Sequence, residues 1–66
     1  MTTASVTVKA PEMRIGDLWF GETVTAMANT PGRHGYVDMT VMHPDSHATR
    51  VVTLHRDRWM KVEREV

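Results

Sequence analysis

Apolar and polar residues alternate with a period of two through most of this chain. Val6, Val8 and Ala10 alternate with Ser5, Thr7 and Lys9. Val24, Ala26 and Ala28 alternate with Thr23, Thr25 and Met27. Val37, Met39 and Val41 alternate with Tyr36, Asp38 and Thr40; Val52 and Leu54 with Thr53 and His55; Met60 and Val62 with Trp59, Lys61 and Glu63. Successive side chains on a strand point to opposite faces, so each first set is expected to line one core. Nine valines and nine threonines favour strands over helices. No stretch sustains helical spacing, and Pro11 to Ile15 has room for one helical turn at most.

Turn formers punctuate these runs. Ala10-Pro11-Glu12 and Gly16-Asp17 bracket one loop, and Asn29-Thr30-Pro31-Gly32-Arg33-His34-Gly35 is a second. His43-Pro44-Asp45-Ser46-His47 is a third, and Arg56-Asp57-Arg58 a short fourth. Proline presets φ, glycine permits positive φ, and Asp or Ser bonds its own backbone. Evenly spaced turns suit a sandwich or barrel. Five strands in 66 residues are too few for two broad sheets. The expectation is an all-β fold, a small five-stranded, partly open barrel with few exposed edges, forming one domain over residues 1–66. Gly21 is expected to bend a continuous strand from Leu18 to Ala28 so that it serves both halves.

The segment from Val6 to Val24, whose loop ends in Gly16-Asp17 before a bent strand, resembles small SH3-like barrels. A first strand, a loop ending in Gly-Asp and four meandering strands is a common plan there, and the resemblance covers most of the chain. It implies a binding module, because members of that fold class bind peptides, nucleic acid or other subunits.

Size sharpens this picture. A chain this short buries only about 60% of its unfolded surface, so its core is marginal. Such domains add disulfides, a metal or a partner chain, and the absence of cysteine removes disulfides and thiolate zinc sites. Self-association or a partner subunit gains weight. Eight Lys plus Arg balance eight Asp plus Glu, without the basic excess typical of nucleic-acid or membrane-surface binders. The first residues lack the basic and apolar segments of a signal peptide, and the longest apolar run, Leu18-Trp19-Phe20, is far too short to span a bilayer. A cytoplasmic location follows as the default. Arginine outnumbers lysine six to two, a usage that suggests a GC-rich genome such as that of an actinobacterium or its phage.

Candidate chemistry is sparse. His43 and His47, with Asp45 between, are the best metal candidates, but a structural zinc needs four ligands and no nearby fourth is evident, so a hairpin tip flanked by two solvated histidines is the favoured reading. Histidine with Asp38, Asp45 or Asp57 invites a general-base reading. Nucleophiles are hydroxyls only, and no nucleophile elbow, glycine-rich phosphate loop or paired-carboxylate motif appears. The chain reads as a non-enzyme with no cofactor.

Two surfaces remain. Arg56-Asp57-Arg58-Trp59-Met60-Lys61, with Arg50 alongside, places cations beside an aromatic, the pairing that grips phosphate and stacks on bases. Interleaved acids weaken that field, and a turn with paired charges is the plainer account. Met27, Tyr36, Met42, Val51 and Trp59 fall in the outer phase and predict an apolar, adaptable patch suited to a protein partner. Barrel curvature leaves open whether Trp59 or Met60 faces the core. The expected function is a non-catalytic module binding protein, either a second copy, a subunit of a larger assembly or, for a phage-encoded modulator, a host protein. Nucleic-acid binding through Arg50, Arg56, Arg58, Trp59 and Lys61 is the alternative.

Overall fold

The computed structural model describes residues 2–65. Six strands form one antiparallel sheet: β1 (Thr3–Lys9), β2 (Leu18–Trp19), β3 (Glu22–Asn29), β4 (Tyr36–Met42), β5 (Thr49–His55) and β6 (Trp59–Glu65). They lie in the order β1-β6-β2-β3-β4-β5. No pairing joins β1 to β5 among the described residues, so the sheet is open, with those two strands as its edges. A single 3-10 turn, Ala10–Glu12, follows β1, and the Glu12 carboxylate accepts the Lys9 N–H at 3.1 Å.

The strand count corrects the expected five. The anticipated bent strand from Leu18 to Ala28 is a tight hairpin instead. Phe20 and Gly21 both hold positive φ, 50° and 77°, and Trp19 pairs with Glu22 across them. Positive φ at both central residues is the requirement of a two-residue turn whose twist matches its flanking strands. Gly21 meets that requirement without a Cβ penalty, whereas Phe20 does not.

A second correction lies in β3. The register shifts between Val24 and Ala26, leaving Thr25 as a bulge whose hydroxyl donates to the Thr40 carbonyl at 3.4 Å. One extra residue reverses the period-two phase beyond it. Ala26 and Ala28, expected inside, are therefore exposed, and Met27, expected outside, packs against the core opposite Met39.

The remaining strands follow their alternation. Val37, Met39 and Val41 of β4 are all buried, and Met60 and Val62 of β6 are buried while Trp59 is exposed, so Met60 is the core residue. Val8, Ala10, Met13, Val24 and Leu54 complete the cluster. Each fully buried valine or methionine contributes about 1.5–3 kcal/mol relative to an exposed one.

The Gly16-Asp17 loop is stitched to the sheet at three points. The Gly16 N–H donates to the Val24 carbonyl at 2.8 Å, and the Val24 N–H returns to the Asp17 carbonyl at 2.9 Å. The Asp17 side chain, 2% exposed, accepts the Arg14 N–H at 2.8 Å and a two-pronged contact from Arg64, at 3.0 Å from Nε and 2.8 Å from Nη2. Arg64 also donates to the Glu12 carbonyl at 3.2 Å. The Arg64 hydrogen bonds, aided by the Arg14 N–H, outweigh burial and hold the Asp17 carboxyl below the usual carboxylate range. Residues forty-seven apart are thereby joined.

Candidate functional site

Two clefts open on this scaffold. The first lies between the β2–β3 hairpin tip and the outer face of β6. It encloses about 430 Å³ and is walled by Trp19, Phe20 and Trp59, with Arg58, Lys61 and Glu63 at its margins. Phe20 is 84% exposed and Trp59 60%. Phe20 stands at the tip because the positive-φ turn projects it outward, and it meets the Trp19 ring edge-on at 4.7 Å. Trp59 occupies the first position of β6, opposite Lys9 of β1, whose ammonium sits 5.2 Å from its ring centroid. Trp19 carries the Arg50 guanidinium at 5.8 Å. A bulky residue at positive φ stores strain, and such strain concentrates where a side chain is held for contact.

Arg50 is not free to serve a ligand. Its guanidinium binds both carboxylate oxygens of Glu22, with Nε 3.2 Å from Oε2, and these bonds hold Glu22 below the usual carboxylate range.

The second cleft, about 730 Å³, lies between the β3–β4 loop and the β5–β6 turn. Met27, Tyr36 and Val37 form its apolar wall, and Arg33, His34 and Arg56 its basic one. The Arg33 guanidinium stacks 4.0 Å from the Tyr36 ring centroid, and that ring meets His55 edge-on at 5.3 Å. The Arg56 N–H donates to the Gly35 carbonyl at 2.8 Å and ties the two loops together.

The structure disperses the outer-phase residues singled out from sequence. Trp59 lies in the first cleft, and Met27 and Tyr36 in the second. Met42 is half-buried between Thr23 and Thr49, and Val51 stands exposed on the edge strand β5. The basic stretch also divides: Arg58 and Lys61 border the first cleft, whereas Arg56 borders the second. Phe20 and Trp19 were not among the sequence candidates. Gly21 is the one local turn signal there, and the aromatic before it, an unusual occupant of a positive-φ position, lets Leu18-Trp19-Phe20 read as strand.

His43 and His47 are both exposed on the β4–β5 hairpin. The His43 ring has a structural task, since its Nδ1 accepts the N–H groups of Asp45 and Ser46 at 3.2 and 3.4 Å. No three His, Asp or Glu side chains gather as a metal-binding group among the described residues. No helix in the described residues is long and apolar enough to cross a membrane. Comparison with protein-family models, curated proteins and solved structures finds no match to this chain.

Proposed function

We propose that this chain is a non-catalytic interaction module of SH3-like type that grips an extended segment of a partner protein in the cleft between Phe20 and Trp59. The observation that carries this reading is the pair of large aromatics left exposed along one cleft, from the hairpin tip and from β6, one of them at positive φ. Aromatics anchor interfaces because they bury much area at little entropic cost, and lone exposed ones rarely converge without a ligand. The SH3-like assignment rests on the strand order, in which β1, β6 and β2 form one side and the β3–β4–β5 meander the other. Lys9, Arg58 and Lys61 near the cleft suit an apolar segment flanked by acidic residues. A cytoplasmic, phage-encoded modulator of a host protein fits the same surface.

Two features favour a polypeptide over nucleic acid. Glu63 borders the aromatic cleft, and Arg50 is committed to Glu22. Arg56 faces the other cleft, so no continuous cationic track accompanies the aromatics. Selection of displayed random peptides on the wild-type protein should enrich an apolar motif with acidic flanks. Phe20→Ala and Trp59→Ala should each abolish its capture. Enrichment that survives both changes would sink the proposal. Salt-dependent filter binding of single-stranded DNA or RNA, lost in Arg58→Ala with Lys61→Ala, would replace it by the nucleic-acid alternative.

A further inference from the structure

The arginines of this chain divide into two kinds. Arg50 and Arg64 are consumed by ion pairs, with Glu22 and Asp17. Arg33 and Arg56 form no ion pair among the described residues, yet they line one cleft together with His34. All three are exposed, and their convergence from two separate loops on one concave surface favours an anion between them. The cleft is also prepared for one. Stacking on Tyr36 fixes the Arg33 guanidinium through its face and leaves its N–H donors available at its edge. The bond from the Arg56 N–H to the Gly35 carbonyl fixes the spacing of the two loops.

The nearby acids are otherwise engaged. Asp38 accepts the hydroxyls of Thr30 and Thr53 at 2.7 and 2.8 Å, and these bonds, with the charge of Arg33, keep its carboxyl below the usual range. Asp57 lies 4.0 Å from the His55 ring and is not among the residues lining the cleft.

We propose that this cleft binds a phosphate monoester carried on an apolar body. The forked donors of Arg33 and Arg56 would take the phosphate oxygens, and the wall of Met27, Tyr36 and Val37 the organic group. The volume of about 730 Å³ exceeds what a bare anion fills, and the apolar wall would be idle against one. The site is separate from the aromatic cleft and does not depend on the function proposed for it.

The test is titration of the full chain with phenyl phosphate and with inorganic phosphate, followed by amide shifts in two-dimensional NMR. Saturable shifts at Arg33, His34, Gly35 and Arg56 are expected, with phenyl phosphate the tighter ligand. Arg33→Gln and Arg56→Gln should each weaken it by about tenfold, the effect of losing one hydrogen bond to a charged group. Arg33→Lys should weaken it as well, because an ammonium neither forks nor stacks in the same way. Trp59→Ala should leave it unchanged. Adenosine monophosphate and a phosphotyrosine peptide then separate a free metabolite from a modified side chain as the source, and the tighter of the two identifies it. The proposal is overturned if no shift saturates, if inorganic phosphate binds as tightly as phenyl phosphate, or if the shifts persist in the double Gln variant with the fold intact.

Discussion

Strand β4 and the segment Leu18 to Asn29 cross the same sheet and carry similar alternating sequences, yet they are built to different ends. β4 has no bulge and no positive φ, and its inward residues Val37, Met39 and Val41 are all buried. The other segment breaks the rules twice. It turns on a phenylalanine held at positive φ, and it inserts Thr25 as a bulge. The regular strand lends a ligand only its first two residues, Tyr36 and Val37, at the edge of the second cleft. The irregular one delivers Phe20 and Trp19 to one cleft and Met27 and Ala28 to the other. Local departures from regular geometry are affordable only where neighbouring structure over-determines the backbone. Here the Gly16-Asp17 loop supplies that restraint, through its paired hydrogen bonds to Val24.

If that contrast is right, the irregular half should depend on its polar clamp and the regular half on packing. Asp17→Ala strands Arg64 and the Arg14 N–H; because Arg64 keeps some access to water, the cost falls at the low end of that for a buried pair, about 3 kcal/mol. In a domain of this size Tm should fall by 12 °C or more, roughly, or the fold should be lost. Thermal melts followed by circular dichroism measure it, and a fall of only a degree or two would show that the clamp is ornamental.

Met39→Ala should follow closely, at about 2–5 kcal/mol for a cavity in the core. Its loss should be nearly independent of pH, unlike that of the clamp. The folded-state pKa of Asp17 is depressed, so its contribution is fully present above the ordinary carboxylate value of 3.8. It is lost as pH falls through the depressed value. Below neutral pH the gap between wild type and Asp17→Asn should therefore hold steady to about pH 5 and close under stronger acid. The acid slope that remains in the variant belongs to Glu22 and Asp38, whose carboxyls are also lowered by hydrogen bonds, from Arg50 and from the two threonines. A gap that widens on acidification would contradict the assignment of the clamp.

The smallest effects on stability should fall where the functional reading places most weight. Phe20→Asn should stabilise the hairpin by about 1 kcal/mol, because Asn-Gly suits a turn with two positive φ values and phenylalanine does not. Trp59→Ala should change stability by less than about 0.5 kcal/mol, as exposed positions usually do. Both should nonetheless lose the selected peptides. Should Phe20→Asn destabilise the fold instead, the ring would be packing against Trp19 for structural reasons and its exposure would need another account.

The alternation was enough to place β4, β6 and β1, because each keeps one phase from end to end. It left Met60 and Trp59 undecided, because barrel curvature can bury either phase, and the structure places Met60 in the core. In β3 it failed past Thr25, since Thr-Ala-Met-Ala offers small or apolar residues in both phases and no glycine or proline marks the bulge. The β2–β3 turn was hidden by Phe20, a residue that turn statistics would not place there. Gly16-Asp17 read as a loop ending, but nothing local reveals that its carboxylate is held by Arg64, near the other end of the chain. The two clefts were illegible for a related reason. Each is assembled from segments distant in sequence, and their meeting depends on which side of the bulge Met27 falls and on where the Phe20 turn points.

The two open edges of the sheet have a colloidal consequence. β1 and β5 each present a row of peptide groups with no partner among the described residues, and both are free of proline. Charged side chains are the usual deterrent to edge-to-edge contact, and β1 has only Lys9 and β5 only Arg50, the latter neutralised by Glu22. With no net charge at neutral pH, the molecules also lack mutual repulsion at long range. Solutions of this protein are expected to be least soluble near neutrality and to gain shelf life a unit or two to either side, where like charge keeps the strands of neighbouring molecules apart.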